Sequence, residues 1–406
     1  MSLLFIIVTL ALFAALVLTH VRLRQAIRVT PDTTQPLERY PSISIVRPIR
    51  GLDAGARENI RAALETGYPG RVETLFVFDD DTEPALPLVR EAIAEHRAAG
   101  RPGDAWVLIA GAPPANQTGK LHAMIVGVRA AAGELIAFGD SDTRPDKLAI
   151  RRLVEKLMGT PGAGAAFAPV VAISASGRTA GDVGAALALN GLYGPSVAMA
   201  ERRDGHLPFI MGQLMVFTRE ALQAIGGLES IKGELVDDMS IGMRIAAAGY
   251  QNVVSPQPLF IVIEGTSLVQ FARMFRRWLI FSRSGLQSWE FNWPHWLRGG
   301  EYLVALMLVV GTVGRGHMAA ALMPAATLLG YAWSTVRLHR DLGGDPVSFR
   351  HAWVPFVLPI TAPFVFLSAV LHPQVDWRGR NYRLDLGSRL STGSTTDPRP
   401  KIPSST

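Results

Sequence analysis

Between Ser42 and Ile173 short apolar runs alternate with longer stretches of helical spacing. No other feature limits the fold as much. Ile43 to Val46, Val72 to Phe78, Trp106 to Ile109, Leu135 to Phe138 and Ala165 to Ile173 read as strands. Ala56 to Leu64, Pro87 to Arg97, Gly119 to Ala132 and Asp146 to Met158 read as helices, and Arg47 to Gly51 as a loop. This succession predicts an α/β fold, with a mostly parallel sheet flanked by helices on both faces. In open sheets of that kind ligands bind beyond the carboxyl ends of the strands. Two of the strands end there in acids: Asp79-Asp80-Asp81 follows Phe78, and Asp140-Ser141-Asp142 follows Gly139.

Alternate residues of an extended chain project the same way, so Asp140 and Asp142 can share one ion. Two hard oxygen ligands suit Mg²⁺ or Mn²⁺, whose remaining ligands are usually water and phosphate oxygens. The competing reading is a polar turn closed by Pro145, since Asp, Ser and Pro are turn residues. The repeated coincidence of acids with strand ends favours the ion.

Further along, Phe209 to Thr218 reads as a strand and Arg219 to Ala224 as a helix stopped by Gly226-Gly227. Asp237-Asp238 opens another helix, Met239 to Ala248. Acids are common in a first helical turn, where the dipole favours them. Residues between Ile173 and Phe209 show no clear period.

Leu3 to Thr19 is an unbroken apolar run, just long enough to span a bilayer. No Lys or Arg precedes it and no small-x-small cleavage site follows, which disfavours a signal peptide. Arg22, Arg24 and Arg28 come next, so the following domain is expected in the cytoplasm. Hydrophobic residues make up 49% of the 406-residue chain and charged residues 18%, too apolar for an ordinary soluble enzyme. The net charge of +6 fits a membrane surface, and no nucleic-acid motif accompanies it. There is no cysteine, which excludes disulfides, thiolate metal sites and a cysteine nucleophile.

Arg273 to Arg298 interleaves arginines with Phe275, Trp278, Phe281, Trp289, Phe291, Trp293 and Trp296, a pattern for the membrane interface. Tyr302 to Val313, His317 to Val336 and Ala352 to Leu371 are apolar. The third contains Pro355, Pro359 and Pro363, which also suit a re-entrant segment. The number of crossings stays open. The expected division is a transmembrane helix over 1–21, a linker over 22–41, a cytosolic catalytic domain over 42–264, an interfacial segment over 265–300, a transmembrane region over 301–372 and a cytosolic tail over 373–406, disordered from Ser388.

Taken in order, these motifs resemble a membrane-bound family 2 type glycosyltransferase with a GT-A domain. More narrowly they resemble the ceramide glucosyltransferase group and its bacterial relatives. Arg47-Pro48-Ile49-Arg50-Gly51 is similar to the group's basic opening, and Phe78 to Ala85 to its first aspartate motif. Asn116 to Leu121 resembles the loop that holds Lys120, and Asp140-Ser141-Asp142 the second aspartate motif. Gly212-Gln213-Leu214-Met215 resembles the acceptor-side segment, and Trp377-Arg378-Gly379-Arg380 with Tyr382-Arg383 a motif near the C-terminus.

The resemblance implies a UDP-sugar donor bound by Arg47, Pro48, Asp79, Asp80, Lys120, Asp140 and Arg277. It implies a Mg²⁺ or Mn²⁺ ion on Asp140 and Asp142, a lipid acceptor near Gly212, Gln213 and Trp278, and catalysis by the Asp237-Asp238 pair, with Asp238 as general base. The expected reaction is inverting transfer of a sugar, glucose first, to ceramide or a similar lipid alcohol at the cytoplasmic face of a bacterial inner membrane. A processive polysaccharide synthase and a non-catalytic sugar-nucleotide-binding protein are the alternatives. The group's Gln- or Arg-x-x-Arg-Trp motif is incomplete here. Arg277-Trp278 are present, but Met274 holds the first position, leaving Arg273 or Arg276 to compensate.

Overall fold

The computed structural model describes residues 3–27, 35–114, 116–173, 178–255, 257–285, 288–372, 374–377 and 380–383. A long helix, α1 (Leu3–Ile27), leads into an α/β layer of β1 (Ile43–Ile49), α2 (Ala56–Leu64), β2 (Val72–Phe78), α3 (Leu86–Ala98), β3 (Asp104–Ile109), α4 (Gly119–Ala130) and β4 (Leu135–Gly139). A short β5 (Thr143–Arg144), α5 (Ala149–Gly159), β6 (Ala163–Phe167) and β7 (Val170–Ile173) follow. Next come α6 (Ala180–Ala188), a π-turn (Leu189–Tyr193) and α7 (Gly194–Asp204), continuous with one another, then β8 (Leu214–Thr218), α8 (Arg219–Ala224), α9 (Asp237–Ala247), β9 (Gln251–Val254) and β10 (Leu259–Val262). The C-terminal part is helical: α10 (Leu268–Gly285), α11 (Ser288–Val313), α12 (Met318–Asp341) and α13 (Val354–Leu371), closed by the hairpin β11 (Gln374–Trp377) and β12 (Arg380–Arg383).

The main sheet has the order β3-β2-β1-β4-β8-β6-β9, and β8 alone runs against its neighbours. A second sheet, β5-β10-β7, stands beside it. The α/β architecture expected from the alternation is therefore present. The strand expected over Ala165 to Ile173 is in fact two strands in two sheets. Pro169 lies between them, has no N–H to give a ladder, and lets the chain change sheet.

Arg47 and Pro48, read as loop, belong to β1. Pro48 is tolerated in this central strand because β4 pairs only with Ile43 to Val46. Beyond that point β1 pairs with β2 alone, Pro48 opposite Val77, so its other side carries no ladder bond to lose.

Helix α1 continues to Ile27, past the point where a linker was expected to begin; 28–34 and the tail from Ser388 lie outside the described residues. The interfacial segment divides into α10 and the start of α11. Among the described residues four helical stretches are long and apolar enough to cross a membrane: Leu3–Ile27, Ala180–Arg202, Met318–Asp341 and Phe349–Leu371. The second is packed inside the protein over more than half of its apolar window.

Helices α1 and α12 run side by side in the same direction. A Cβ on Gly330 would stand 2.6 Å from Leu16 Cδ2. His20 Nδ1 is 2.8 Å from Ser334 Oγ, and Arg24 Nε donates to Asp341 at 2.9 Å.

Candidate active site

The carboxyl edge of the main sheet gathers the acids. β4 ends at Gly139, opposite Leu214 of antiparallel β8. That pairing sets Asp140 against the residues that precede β8, and the Asp140 N–H donates to the Gln213 carbonyl at 2.9 Å. One residue back, the Gly212 N–H donates to Asp238 Oδ2 at 2.8 Å, and Met239 N–H donates to Oδ1 at 2.8 Å. Gly212 and Gln213 thus connect the second aspartate motif to the acidic pair of α9. Gly212 must lack a side chain, since a Cβ there would lie 2.6 Å from Asp238 Oδ2 and 2.8 Å from its Cβ.

Lys120 joins the same groups through its ammonium. Thr118 caps α4 by accepting from the Leu121 N–H at 3.1 Å, which fixes the first turn that carries Lys120. Its Nζ stands 2.8 Å from Asp140 Oδ1 and 3.6 Å from Asp237 Oδ2. Burial alone would lower the Lys120 pKa, but Asp140, Asp237 and Asp238 together hold it above the ordinary lysine value. Asp237 is buried, and its Oδ2 accepts no hydrogen bond. Burial raises its pKa above the usual carboxylate range. Burial, reinforced by the Asp237 charge, pushes Asp238 up to about 7, against the lowering effect of Lys120. A carboxyl group so tuned can accept a proton near neutral pH.

Arg47 sits beneath the cleft rather than in it. Its side chain is 2% exposed, and Nη2 donates to the carbonyls of Asp140 (2.7 Å) and Thr143 (3.3 Å). Burial draws its pKa down to about 10, which leaves it cationic under the aspartate loop at neutral pH. On the upper side, Ser141 donates to Asp53, which ties this loop to the one that follows β1.

Asp79 and Asp80 occupy the same sheet edge at the end of β2, beside Pro48 and Ile49. Arg50 Nη1 lies 3.2 Å from Asp79 Oδ2, and Asp80 Oδ1 accepts from the Thr82 N–H at 2.8 Å. Lys120, Asp140, Asp237, Asp238, Gly212 and Gln213 are therefore linked in one chain of contacts, while Asp79 and Asp80 flank them along the edge.

Arg277 and Trp278 lie on α10, both partly buried. Trp278 meets the Tyr193 ring edge-on at 6.0 Å. Together with Met211, Met239 and Met274 it packs against the apolar cluster that also contains Leu235 and Val236, the residues before Asp237. Methionines from three separate segments thus pack on the cluster that includes the two residues before the acidic pair. Met274 fills an apolar position, and Arg276 is engaged elsewhere. Its guanidinium donates to Ser368 Oγ (3.1 Å), the Gln374 carbonyl (2.8 Å) and the His372 carbonyl. Arg273 is exposed.

Several supporting residues carry no motif. Gly242 brings α9 against the main chain of Phe209 and Ile210, where a Cβ would lie 2.6 Å from the Ile210 nitrogen. Buried Asn252 donates to the Gly242 and Leu207 carbonyls, both at 2.9 Å. Tyr193 belongs to the stretch that shows no period in the sequence. The Gly-x-x-Gly spacing of Gly181 and Gly184 was the available signal of a closely packed helix there.

A metal ion can be weighed against this arrangement. Among the described residues no three His, Cys, Asp or Glu form a ready ligand cluster. The donor chemistry nevertheless fits a hard divalent cation: Asp140 and Asp142 offer carboxylate oxygens, Asp237 adds a buried oxygen without a hydrogen bond, and the Lys120 ammonium already sits against Asp140 as a countercharge.

The sequence profile described as Glycosyl transferase family 21 matches residues 3–390. The chain belongs to this family. It is a glycosyltransferase of the ceramide glucosyltransferase-like kind. Ceramide glucosyltransferase 3 of Caenorhabditis elegans is 22% identical over 355 residues, which cover 86% of this chain and 74% of that one. Ceramide glucosyltransferase 1 of the same organism is 21% identical over 393 residues, covering 92% and 77%. Among solved structures, the mannosyltransferase PcManGT from Pyrobaculum calidifontis, in complex with GDP-Man and Mn²⁺, matches 89% of this chain and 97% of its own at 19% identity, with a TM-score of 0.45.

Proposed function

We propose that this family 21 enzyme moves a hexose, glucose in the first instance, from a UDP-sugar to a lipid alcohol such as ceramide, at the cytoplasmic face of the membrane and with inversion at the anomeric carbon. The observation that carries the reading is the placement of Asp238. It is half-buried, gripped by the Gly212 and Met239 amides and pushed up to about 7, and the residues just before its pair, Leu235 and Val236, belong to the apolar cluster on which Met211, Met239, Met274 and Trp278 pack.

In the proposed reaction the acceptor hydroxyl gives its proton to Asp238 as its oxygen forms the new bond to the anomeric carbon. The bond from that carbon to the diphosphate oxygen breaks, and the nucleoside diphosphate leaves. Each Asp238 oxygen accepts one amide hydrogen bond and keeps a further lone pair for the acceptor. The amides fix the carboxylate's direction, and burial keeps it basic enough to work on an alcohol.

Lys120 brings positive charge to the edge where the leaving group's negative charge grows, in a site partly screened from water. Arg47 acts from below by holding the Asp140 and Thr143 carbonyls, which fixes the aspartate loop. Arg50, Asp79 and Asp80 at the neighbouring strand end are assigned to the nucleotide, with Arg277 reaching from α10. Mg²⁺ or Mn²⁺ held by Asp140 and Asp142 would neutralise diphosphate charge as a Lewis acid.

The test is transfer by purified enzyme in lipid vesicles supplied with UDP-glucose and ceramide, read by mass spectrometry of the lipids. Asp238→Asn should bind UDP as the native protein does and lose transfer. Undiminished transfer by that variant would remove Asp238 as the base, and a polymeric product would replace the lipid acceptor with a growing polysaccharide.

A further inference from the structure

Helix α13 is the most apolar of the C-terminal candidate spans; the stretch around it, Phe349–Leu371, has a mean hydropathy of 2.1, against 1.2 for Met318–Asp341. Its surroundings are not those of a crossing helix. Val354, Leu358, Phe366 and Ala369 point into the protein, in one apolar cluster with α6 and with Phe271, Phe275 and Leu279 of α10. The opposite stripe, Trp353, Val357, Phe364, Leu367 and Leu371, is exposed over the whole length of the helix. These positions recur at helical spacing, so α13 has one face against the catalytic domain and one apolar face that no other described residue covers. Phe349, just before the helix, is 97% exposed.

Hydrogen bonds hold the helix near both ends. At the C-terminal end Arg276 donates to Ser368 and to the His372 carbonyl, and Arg283 donates to the Val370 carbonyl at 3.3 Å. At the N-terminal end Tyr302 of α11 donates to the Phe356 carbonyl at 3.0 Å.

The two contacts with α11 also give a direction. A Cβ on Gly299 would stand 3.2 Å from Pro363 Cγ, while Tyr302 meets Phe356. Going from the first contact to the second moves forward along α11, from 299 to 302, and backward along α13, from 363 to 356. Helix α13 therefore runs against the direction of α11. Helices α1 and α12, by contrast, run in the same direction, from Leu16–Gly330 through His20–Ser334 to Arg24–Asp341.

We propose that α13 does not traverse the bilayer but lies in the leaflet next to the catalytic domain, with its Trp353–Leu371 stripe sunk among the acyl chains. The occupant of that face is lipid for three reasons. The stripe carries no charged side chain. It is continuous with α11, whose Leu297, Met307, Val310 and Val313 are exposed as well. And its N-terminal end carries Phe349, Arg350 and Trp353, the aromatic and basic residue types that settle at a headgroup boundary. The inner face of the same helix packs on α10, so the helix bearing Arg277 and Trp278 rests directly on a lipid-embedded support.

The absence of native cysteine makes the test direct. Single-cysteine variants Lys232→Cys (catalytic domain), Arg350→Cys and His372→Cys (the two ends of α13) and His317→Cys (the α11–α12 turn) are placed in sealed vesicles of known orientation and exposed to a membrane-impermeant maleimide. Cysteines at 350 and 372 should react from the same face as that at 232, and the one at 317 from the other face. Reaction at 372 from the face opposite 232 would overturn the proposal. For Phe364→Cys, maleimide labelling should be at least tenfold slower than at 350, and an attached bimane should be quenched by lipids brominated on their acyl chains. Rapid labelling would mean a solvated face, and protection without quenching would mean a covering protein. Either result overturns the lipid assignment. None of these readouts depends on glycosyl transfer, so they stand or fall separately from the catalytic reading.

Discussion

At the scale of single residues, the proposed mechanism rests on two adjacent carboxyl groups with different surroundings. Asp237 faces Lys120 and lies buried, while Asp238 is turned towards Gly212 and is raised to about 7 by burial and by its neighbour's charge. A base must be unprotonated to act, so transfer should rise with pH through a midpoint near that value and fall about tenfold per pH unit below it. Asp237→Asn removes the neighbouring charge that raises Asp238. The acid limb of kcat/KM should therefore move to lower pH in that variant, and an unmoved limb would separate the two groups. Gly212→Ala is expected to cut kcat on the order of 10²-fold with UDP binding retained, because the added methyl displaces the carboxylate from its amide. Titration calorimetry with UDP, run beside the transfer assay, checks both halves of that expectation.

At the scale of elements, much of the site was legible because its residues follow strand ends and helix starts. Asp79, Asp80, Asp140 and Asp142 stand where an open α/β sheet exposes ligands, and Asp237-Asp238 open a helix. What joins them was not legible. The contact from Asp140 to Gln213 depends on β8 running antiparallel beside β4, a pairing that no local pattern encodes. The π-turn and its flanking helices were missed for a related reason. That rod is buried on several sides, so its apolar residues show no clean period, and its glycines lower the apparent helix propensity. The placement of Arg47 also escaped, because an arginine after an apolar run reads as solvent-facing until the strand is seen to continue through it. Gly242 shows how packing reverses propensity. In an open helix Gly→Ala adds up to about 1 kcal/mol of stability. Here the methyl would meet the Ile210 nitrogen and the Phe209 main chain, so Gly242→Ala should cost about 1–3 kcal/mol. A denaturant midpoint that rises instead would place α9 further from that segment.

At the scale of the whole molecule, membrane and catalytic parts share one framework. Leu23 and Ile27 at the end of α1 pack with Leu338 of α12 and Ala198 of α7. The parallel pairing of α1 with α12 is open to a direct check. The double variant His20→Cys/Ser334→Cys should form an intrachain disulfide on mild oxidation, seen as a mobility shift reversed by reductant, whereas His20→Cys/His317→Cys should not. The run from α6 through the π-turn to α7 is continuous. Its far end rests on α1, and the Tyr193 ring near its middle abuts Trp278 on α10. Such a continuous run can carry a tilt of the anchor through to α10. Bilayer thickness should therefore be felt as a change in turnover, and the enzyme would work at its best only in membranes whose depth matches the length of its anchor.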